Sequence, residues 1–477
     1  MSIYNSINNV KLPLPLITGF IFIAILFAMF QAFLIKLTGL EFIPYLFAVI
    51  VLTGFIYAFW IKNYYALSLF ICIISYAYIN DSFNYYLELI ILQDIPAILL
   101  FGIAIIKFLS TGSSFALRFN FFQKAMIFVF LYSIVMSVVG ISKGNAGYFV
   151  YYEFFNFSYY LLPIPIAYLL TEKSEYHKLF LTMVFAGVIL SFQYIFIGLL
   201  FSGKARFTSF HAGFFPFFGA LFYSALALIK KNSLLKLGIL IVSFIVALGA
   251  FSTLTRSVWA SILIGLGTVT AILIYQKYRS ILEKRKNLLA FTITISLLAA
   301  MTLYIWSAIS VPKAETMDNA TKTSQRVESL SNPSGDASLL MRVEIGYYVI
   351  MKFIASPVLG DGFGSTVQYQ IFGDSELHYP DSSWLYFFWK GGIIGGIILI
   401  YFYFAFFKAA YRVLLRTDDI TVKVFTLAII GGYAGFIVYS IFSPHLIKYS
   451  KINLLAAVIF AYIDTQATAL GVYDEKK

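Results

Sequence analysis

Three arginines stand beside apolar segments of this chain, where a charged side chain needs a chemical reason. Arg206 lies in GKARFTSFHAG, Arg256 in FSTLTRSVWAS, and Arg342 in a helix-forming stretch of a long polar segment. Arginine stays charged and presents a planar fork of donors that suits a phosphate or a carboxylate. The plain alternative for each is contact with lipid headgroups or pairing with a local acid. If all three lie on one side of a membrane, they could clamp a diphosphate.

Two further residues in the stretch SELHYPDSSWL are candidates for acid–base chemistry. Either His378 or Asp381 could act as a general base toward a hydroxyl group. A lone histidine in a loop is more often solvated or structural. An aspartate just before a predicted helix is commonly an N-cap, a role that is compatible with orienting a ligand.

The elements that must position these residues are membrane helices. The chain has 477 residues, of which 61% are hydrophobic and 12% charged, more apolar surface than a soluble protein can cover. A bilayer-spanning helix needs roughly 20 apolar residues, and the sequence offers about fourteen candidates, one of them at residues 154–170. We predict an all-α, polytopic membrane protein with twelve to fourteen spans, eleven within residues 1–311 and three within residues 384–477.

A polar segment at residues 312–383 separates the two groups of spans. Apolar residues recur at helical spacing over residues 338–354, which predicts an amphipathic helix that packs on the membrane domain. Three glycines follow in a turn-rich stretch, Gly360, Gly362 and Gly364, where the backbone can approach a ligand closely. The segment GGIIGG at residues 391–396 has the small residues that permit close helix packing.

Basic residues predict how the chain is oriented. Cytoplasmic loops of membrane proteins accumulate Lys and Arg, and the strongest basic run is KYRSILEKRK at residues 277–286. This run places the next loop, residues 312–383, on the outer face, and that loop carries five basic and nine acidic residues. We expect both termini in the cytoplasm and a retained first helix rather than a cleaved signal peptide. The net charge of +12 then reflects inner loops and not a nucleic-acid partner.

Common cofactor motifs are missing from the sequence. Its single cysteine, Cys72, lies in an apolar segment and has no partner for a disulfide or a metal site. No GxxxxGKS/T, HExxH or CxxC pattern occurs. We therefore predict neither a bound metal nor another cofactor.

Four stretches, in this order, resemble the superfamily of O-antigen polymerases and O-antigen ligases, enzymes of bacterial envelope glycans. They are ARFTSFHAGFFPFFG, LTRSVWASILIGL, MRVEIGYYVIMKFIASPVLGDGFGS and DSSWLYFFWKGGIIGG, within roughly residues 200–400. The resemblance implies a metal-independent glycosyltransferase of the bacterial cytoplasmic (inner) membrane that uses a glycan on undecaprenyl diphosphate. It also implies that Arg206, Arg256 and Arg342 hold the diphosphate. Family members often have His-Asn where this chain has Asp381-Ser382, and its histidine lies three residues earlier, at His378.

We therefore expect an inverting surface-polysaccharide polymerase, which joins the glycan to the terminal hydroxyl of a lipid-linked repeat unit. Its expected partners are undecaprenyl-diphosphate-linked oligosaccharide, membrane lipid and, as a further candidate, a chain-length regulator protein. One alternative is a ligase that transfers finished glycan to lipid A core or to a protein. An alternative of another class is a flippase or transporter, for which Asp94 and Glu153 are the candidate ionisable groups near the membrane interior.

Overall fold

The computed structural model of this chain describes residues 120–169, 214–228, 233–253, 256–282, 337–369, 375–377, 382–441 and 450–473, with scattered positions at 187–195 and residue 380. The first four predicted spans lie outside these residues, as does the whole segment 283–336. The total of about fourteen spans therefore stays a prediction.

The regular secondary structure of the described residues is helical except for one small sheet. The helices are α1 (Phe121–Ser142), α2 (Gly147–Ser158), α3 (Pro163–Leu169), α4 (Phe215–Leu228), α5 (Ser233–Ser252), α6 (Arg256–Leu282), α7 (Ala337–Ala355), α8 (Ser383–Arg416), α9 (Ile420–Ile441) and α10 (Ser450–Ala469). Strands β1 (Val367–Tyr369) and β2 (Ser375–Leu377) pair antiparallel, with Val367 opposite Leu377. The helical fold class agrees with the sequence prediction, whereas the hairpin was not predicted.

Within the part of the chain that the structure describes, four helices are long and apolar enough to cross a membrane. They are Phe121–Ser142, Ser257–Lys277 within α6, Ser383–Arg416 and Ile420–Ile441. A helix of 22 residues, such as α1, extends about 33 Å and so matches a hydrocarbon core of about 30 Å. The chain is thus a membrane protein with several spanning helices.

One predicted span is divided in the structure. Residues 154–170, read from the sequence as a single span, belong to the end of α2 and to α3, with turns at residues 159–162 between them. Proline lacks a backbone N–H and is favoured at the first position of a helix. Pro163 therefore explains why a new helix starts at this point.

Glycines set the packing of α6 on α9. A methyl group added at Gly265 would lie 2.9 Å from the Gly431 carbonyl oxygen, and one at Gly435 would meet the Ser261 carbonyl oxygen. The two pairs, 265 with 431 and 261 with 435, run in opposite order along the chain. Helices α6 and α9 are therefore antiparallel, and Arg256 at the start of α6 is level with the last turn of α9.

Helix α1 lies antiparallel to α8. Phe122, near the start of α1, has its ring centroid 5.8 Å from that of Phe406. Farther along α1, and nearer the start of α8, the Tyr132 hydroxyl donates to the Gly391 carbonyl oxygen. Methyl groups at Gly391 and Gly395 would lie 3.3 and 3.0 Å from Cε1 of Tyr132. Small residues thus allow the close packing predicted for residues 391–396, and the end of α1 lies beside the start of α8.

The opposite end of the bundle is joined by the C-terminal tail. The carboxylate of Asp464 accepts hydrogen bonds from Asn120 Nδ2 at 2.8 Å and from the Tyr473 hydroxyl at 2.8 Å. Arg416 donates to the Gly471 carbonyl oxygen at 2.6 Å. These contacts connect the start of α1 with the ends of α8 and α10.

Helix α8 is interrupted at one residue. Gly392 has φ 61° and ψ −163°, far from helical values. Glycine reaches this region at little cost because it has no Cβ. An interruption of this kind leaves carbonyl groups before it and N–H groups after it without partners in the same helix.

We expect Gly392→Ala to destabilise the protein by about 1–3 kcal/mol, because the backbone conformation disfavours a side chain. The added methyl group would also meet the backbone of Val358 and lie 2.7 Å from Gly360 N. The measurement is the thermal unfolding midpoint of the purified protein in detergent.

The matched control is Gly267→Ala. Gly267 lies in the interior of α6, and an added methyl group there meets nothing within 4 Å. This control should leave stability unchanged or raise it by about 0.5–1 kcal/mol. Equal stability of the two variants would contradict a structural requirement for glycine at position 392.

Candidate functional site

The structure describes two of the five predicted site residues. Arg206, His378 and Asp381 lie outside the described residues. Arg256 is the first residue of α6. Arg342 is exposed on α7, the helix that occupies the region predicted to be helical, residues 338–354.

Helix α7 packs along the first turns of α8. A methyl group at Gly346 would lie 3.8 Å from Leu385, and the rings of Phe353 and Phe388 are 5.8 Å apart. From the first contact to the second, the residue number increases in α7 and also in α8. The two helices therefore run in the same direction, and the start of α7 lies toward the start of α8.

Arg342 is one turn before Gly346 and therefore lies on the side of α7 that faces α8. The N-cap of α8 is Ser382, whose side chain accepts a hydrogen bond from Leu385 N at 3.3 Å. The sequence had suggested Asp381 as this cap. The serine hydroxyl takes the role instead, so capping does not account for Asp381.

The start of α6 reaches the same end of the bundle. Arg256 is level with the last turn of α9, where Ser440 accepts a hydrogen bond from Trp384 Nε1 at 3.1 Å. Trp384 belongs to the first turn of α8, beside which Arg342 lies. The helix positions of Arg256 and Arg342 are thus at one end of the bundle, as an anion site built from both would require.

The hairpin returns the chain to the start of α8. Val367 of β1 is buried against Ile345 and Val349 of α7 and against Trp389 of α8. Leu377, opposite Val367 in β2, is the residue before His378. The elements that flank the two candidate bases in the sequence are therefore held against α7 and α8.

Residues 356–365, with the sequence SPVLGDGFGS, form a docking loop that fills the interruption in α8. The hydrogen bonds between them are Asp361 N–H to Trp389 O (2.9 Å), Gly362 N–H to Lys390 O (2.9 Å), Ile393 N–H to Pro357 O (2.8 Å) and Ile394 N–H to Val358 O (3.4 Å). Inside a membrane each unsatisfied backbone group costs several kcal/mol. The loop thus supplies the partners that α8 loses at its interruption.

The three glycines of the docking loop have positive φ angles, 70° at Gly360, 74° at Gly362 and 76° at Gly364. We expected them to let the backbone approach a ligand. A methyl group added at Gly360 would lie 2.6 Å from Gly392 N, and one at Gly362 would lie 2.6 Å from Gly140 Cα. One added at Gly364 would lie 2.8 Å from Val150 Cγ2. Their freedom serves contact with the protein's own helices.

A buried ion pair holds the end of the docking loop. Lys390 Nζ lies 2.7 Å from Glu153 Oε1, and both side chains are 0% exposed. Lys390 also donates to the Ser365 carbonyl oxygen at 2.8 Å, and Gly364 N–H donates to Glu153 Oε2 at 2.8 Å. The pair therefore connects α2, the docking loop and α8 at a single point.

Burial controls the electrostatics of this pair. It raises the pKa of the Glu153 carboxyl above its ordinary value, while the charge and hydrogen bond of Lys390 and the Gly364 N–H oppose the rise. A buried ion pair adds little net stability, but loss of one partner leaves an uncompensated buried charge. Lys390 and Glu153 are therefore positioning groups that depend on each other.

A second, more exposed pair fixes the other side of the loop. Lys143 Nζ lies 2.9 Å from Asp361 Oδ1, and Trp389 Nε1 donates to Asp361 Oδ2 at 3.1 Å. Asn145 Nδ2 donates to the Phe363 carbonyl oxygen at 2.8 Å. The loop is thus attached to the segment after α1 as well as to α8.

The sequence indicated Glu153 as a candidate ionisable group of a transporter, but its partner, Lys390, was not predicted. Both lie in strongly apolar surroundings, YYEFF and FWKGG. Opposite charges in two apolar segments are a signal for a mutual pair, since each is costly alone. Both carboxylate oxygens of Glu153 are engaged, which does not favour the transporter alternative. Among the described residues, no group of three His, Cys, Asp or Glu side chains could hold a metal ion.

Comparison with known proteins adds an independent finding. Residues 241–400 match the model of a protein family described as O-antigen ligase. The match confirms the resemblance to the O-antigen polymerase and ligase superfamily, and it covers α6, α7, the docking loop, the hairpin and the first half of α8. Arg256 and Arg342 both lie within it. A search of curated proteins found no match.

We expect Lys390→Met to destabilise the protein by about 3–5 kcal/mol, because it leaves a buried carboxylate without its cation. The double variant Lys390→Met with Glu153→Gln should lose less than Lys390→Met alone, since it removes the unpaired charge. Unfolding in mixed detergent micelles measures both.

The matched control is Lys143→Met, which breaks the pair with Asp361. Because the Lys143 side chain is 40% exposed, this substitution should cost about 0–1 kcal/mol. A Lys390→Met variant no less stable than this control would contradict the role assigned to the buried pair.

Proposed function

We propose that this protein is a glycosyltransferase of bacterial surface-polysaccharide synthesis, and specifically a polymerase of the O-antigen type. The family match supports the enzyme class. The observation that carries the proposal is the shared position of Arg256 and Arg342 at one end of the bundle, both inside the matched segment. Two permanent cations at one end of a membrane bundle suit a lipid diphosphate.

The donor in this proposal is a growing glycan on undecaprenyl diphosphate. Arg256 and Arg342, with Arg206 as the third member, bind the diphosphate through bidentate hydrogen bonds. The docking loop supports this arrangement because it fixes α7 against α8 through backbone hydrogen bonds and a buried ion pair. Rigid support of this kind is what a preorganised anion site needs.

The reaction is a single displacement at the anomeric carbon. The terminal hydroxyl oxygen of a lipid-linked repeat unit forms the new bond to that carbon. The bond from the carbon to the phosphate oxygen breaks, and undecaprenyl diphosphate leaves with the electron pair. Attack from the opposite face inverts the anomeric centre. The arginines stabilise the negative charge that grows on the leaving oxygen.

The hydroxyl proton passes to a general base, for which we propose His378 or Asp381. The position of both residues supports this: β2 ends at Leu377 and α8 begins after its cap, Ser382, so the two candidates fall between elements that adjoin α7. General-base catalysis contributes about 10²–10⁴-fold to a rate.

The proposed orientation places this end of the bundle on the outer face of the bacterial inner membrane. Several basic residues lie toward the opposite end, namely Lys124, Lys277, Lys408, Arg412, Arg416 and Lys423. An excess of basic residues marks the cytoplasmic side. In this orientation the donor and the acceptor meet outside the cytoplasm, where a chain-length regulator protein could also act.

A ligase is the second candidate, because the matching family is described by that activity. Donor binding and departure of the lipid diphosphate are the same in both reactions. The acceptor differs: a lipid-linked repeat unit for the polymerase, and lipid A core or a protein for the ligase.

We expect Arg256→Ala and Arg342→Ala each to lower the polymerisation rate by about 10²–10³-fold, since each removes a donor to the leaving group. Arg206→Ala should behave in the same way. Lysine at these positions should also impair the reaction, because it lacks the bidentate fork. The assay uses purified protein with lipid-linked repeat units, and the polymer length distribution is the readout.

The control for this series is Arg279→Ala, at the other end of α6 from Arg256. It should retain the wild-type rate. Long polymer formed at the normal rate by all three alanine variants would refute the diphosphate site.

Deletion of the gene in the native host separates the two activities. We expect the ladder of polymer lengths to disappear, with single repeat units remaining, because no other step joins them. Immunoblotting of the surface glycan with lipid extraction gives the result. Full-length polymer that stays on the lipid carrier would instead identify a ligase.

A further inference from the structure

The outward side of α7 is apolar and exposed among the described residues. Val343, Tyr347, Ile350 and Ile354 are 63%, 58%, 48% and 61% exposed. Their spacing of four, three and four residues puts them on one face of the helix. Another side of α7 already packs on α8 through Ile345 and other residues. An exposed apolar strip of this size is unusual in water and indicates a contact surface.

The level of α7 in the bundle follows from the docking loop. Phe363 N–H donates to the Met136 carbonyl oxygen at 3.0 Å, which sets the loop beside the last two turns of α1. In those turns Val138 and Ile141 are 60% and 63% exposed. Helix α1 is long and apolar enough to cross the membrane, so these exposed residues face lipid. The loop that follows α7 therefore lies beside a lipid-facing surface of α1, with the exposed Lys143 at its edge.

The exposed apolar strip of α8 also reaches the loop that follows α7. Ile394 N–H donates to the Val358 carbonyl oxygen, and Val358 is 56% exposed. The preceding residue of α8, Ile393, is 49% exposed and begins the outward strip of that spanning helix, which continues with Ile397, Ile400 and Phe404. The exposed strip on α8 thus adjoins Val358, which follows the end of α7 after Ser356 and Pro357; Ser356 Oγ accepts a hydrogen bond from Lys143 Nζ at 2.9 Å.

The charges of α7 fit a lipid surface. Arg342 and Lys352 are exposed, and their positions on the helix lie outside the apolar face. Arg342 lies about 100° around the helix from Val343 and so borders the apolar face, whereas Lys352 lies on the opposite side. A cation that borders an apolar helix face can meet the phosphates of lipid headgroups while the face itself enters the acyl-chain boundary.

We propose that α7 is an interfacial helix whose exposed face lies in the acyl-chain region of the bilayer. The occupant of this surface is lipid, and neither water nor another protein covers it. This inference goes beyond the proposed function and does not depend on it. It places the start of α7, with Arg342, at the depth of the headgroup phosphates.

The test uses site-directed spin labels. In a Cys72→Ser background, which leaves no native cysteine, single cysteines replace Val343, Tyr347 or Ile354 and carry a nitroxide. The protein is reconstituted in vesicles of phosphatidylethanolamine and phosphatidylglycerol. Power-saturation spectroscopy then measures the accessibility of each label to oxygen, which concentrates in lipid, and to a nickel chelate, which stays in water.

Two control positions calibrate the result. Phe404→Cys on the exposed strip of α8 reports lipid, and Asp418→Cys, fully exposed between α8 and α9, reports water. We expect the α7 labels to match Phe404→Cys, with oxygen accessibility several-fold above that of the nickel chelate. Labels that match Asp418→Cys would overturn the proposal, and so would labels shielded from both reagents, which would indicate a protein partner. Because the three positions are exposed and independent, one disturbed variant does not decide the outcome.

Discussion

The need of backbone groups for hydrogen-bond partners in a membrane governs this structure. Helix α8 is interrupted at Gly392, and lipid offers nothing to the groups thereby released. The docking loop brings its own N–H and carbonyl groups to the interruption, and each side satisfies the other. The positive φ angles of the loop glycines exist because helix backbones lie where side chains would project. The position of α7, and with it Arg342, follows from this exchange.

The buried pair of Lys390 and Glu153 has a different role from that of the backbone hydrogen bonds. Moving two charges out of water costs several kcal/mol for each ion, so the pair contributes little net stability. It does define one geometry, because Glu153 Oε2 and the ammonium of Lys390 each have a partner on the docking loop, while Glu153 Oε1 pairs with Lys390 itself. The pair therefore positions the loop, since an apolar replacement could fill the volume but could not bind the loop backbone.

Local patterns in the sequence predicted the helices well. Hydropathy located α1 and α9 closely, and periodicity located α7 within a residue at each end. Interruptions were harder: the division of residues 154–170 and the unwinding at Gly392 depend on which partners the released groups find elsewhere. The hairpin has strands of only three residues, too short for a periodic signal.

Contacts between residues far apart in the sequence were also hard to predict at the site. Glu153 and Lys390 are 237 residues apart, and nothing local to either identifies the other. The shared end of Arg256 and Arg342 could be argued in advance, because alternating spans and basic loops assign each helix end to a side. The predictions for Arg206, His378 and Asp381 concern residues outside the described part of the chain.

The attachment of the docking loop has a consequence for biogenesis. Its partners come from residues near 136–145, made long before it, and from residues 389–394, made after it. During synthesis the loop therefore emerges with half of its hydrogen-bonding surface still untranslated. The loop cannot complete its hydrogen bonds until α8 has been inserted into the bilayer. The backbone groups of α8 at Gly392 in turn lack partners until the loop is in place. The two must be completed together, so a ribosome pause or a truncation between residues 365 and 394 would leave both unfinished and open to quality-control proteases.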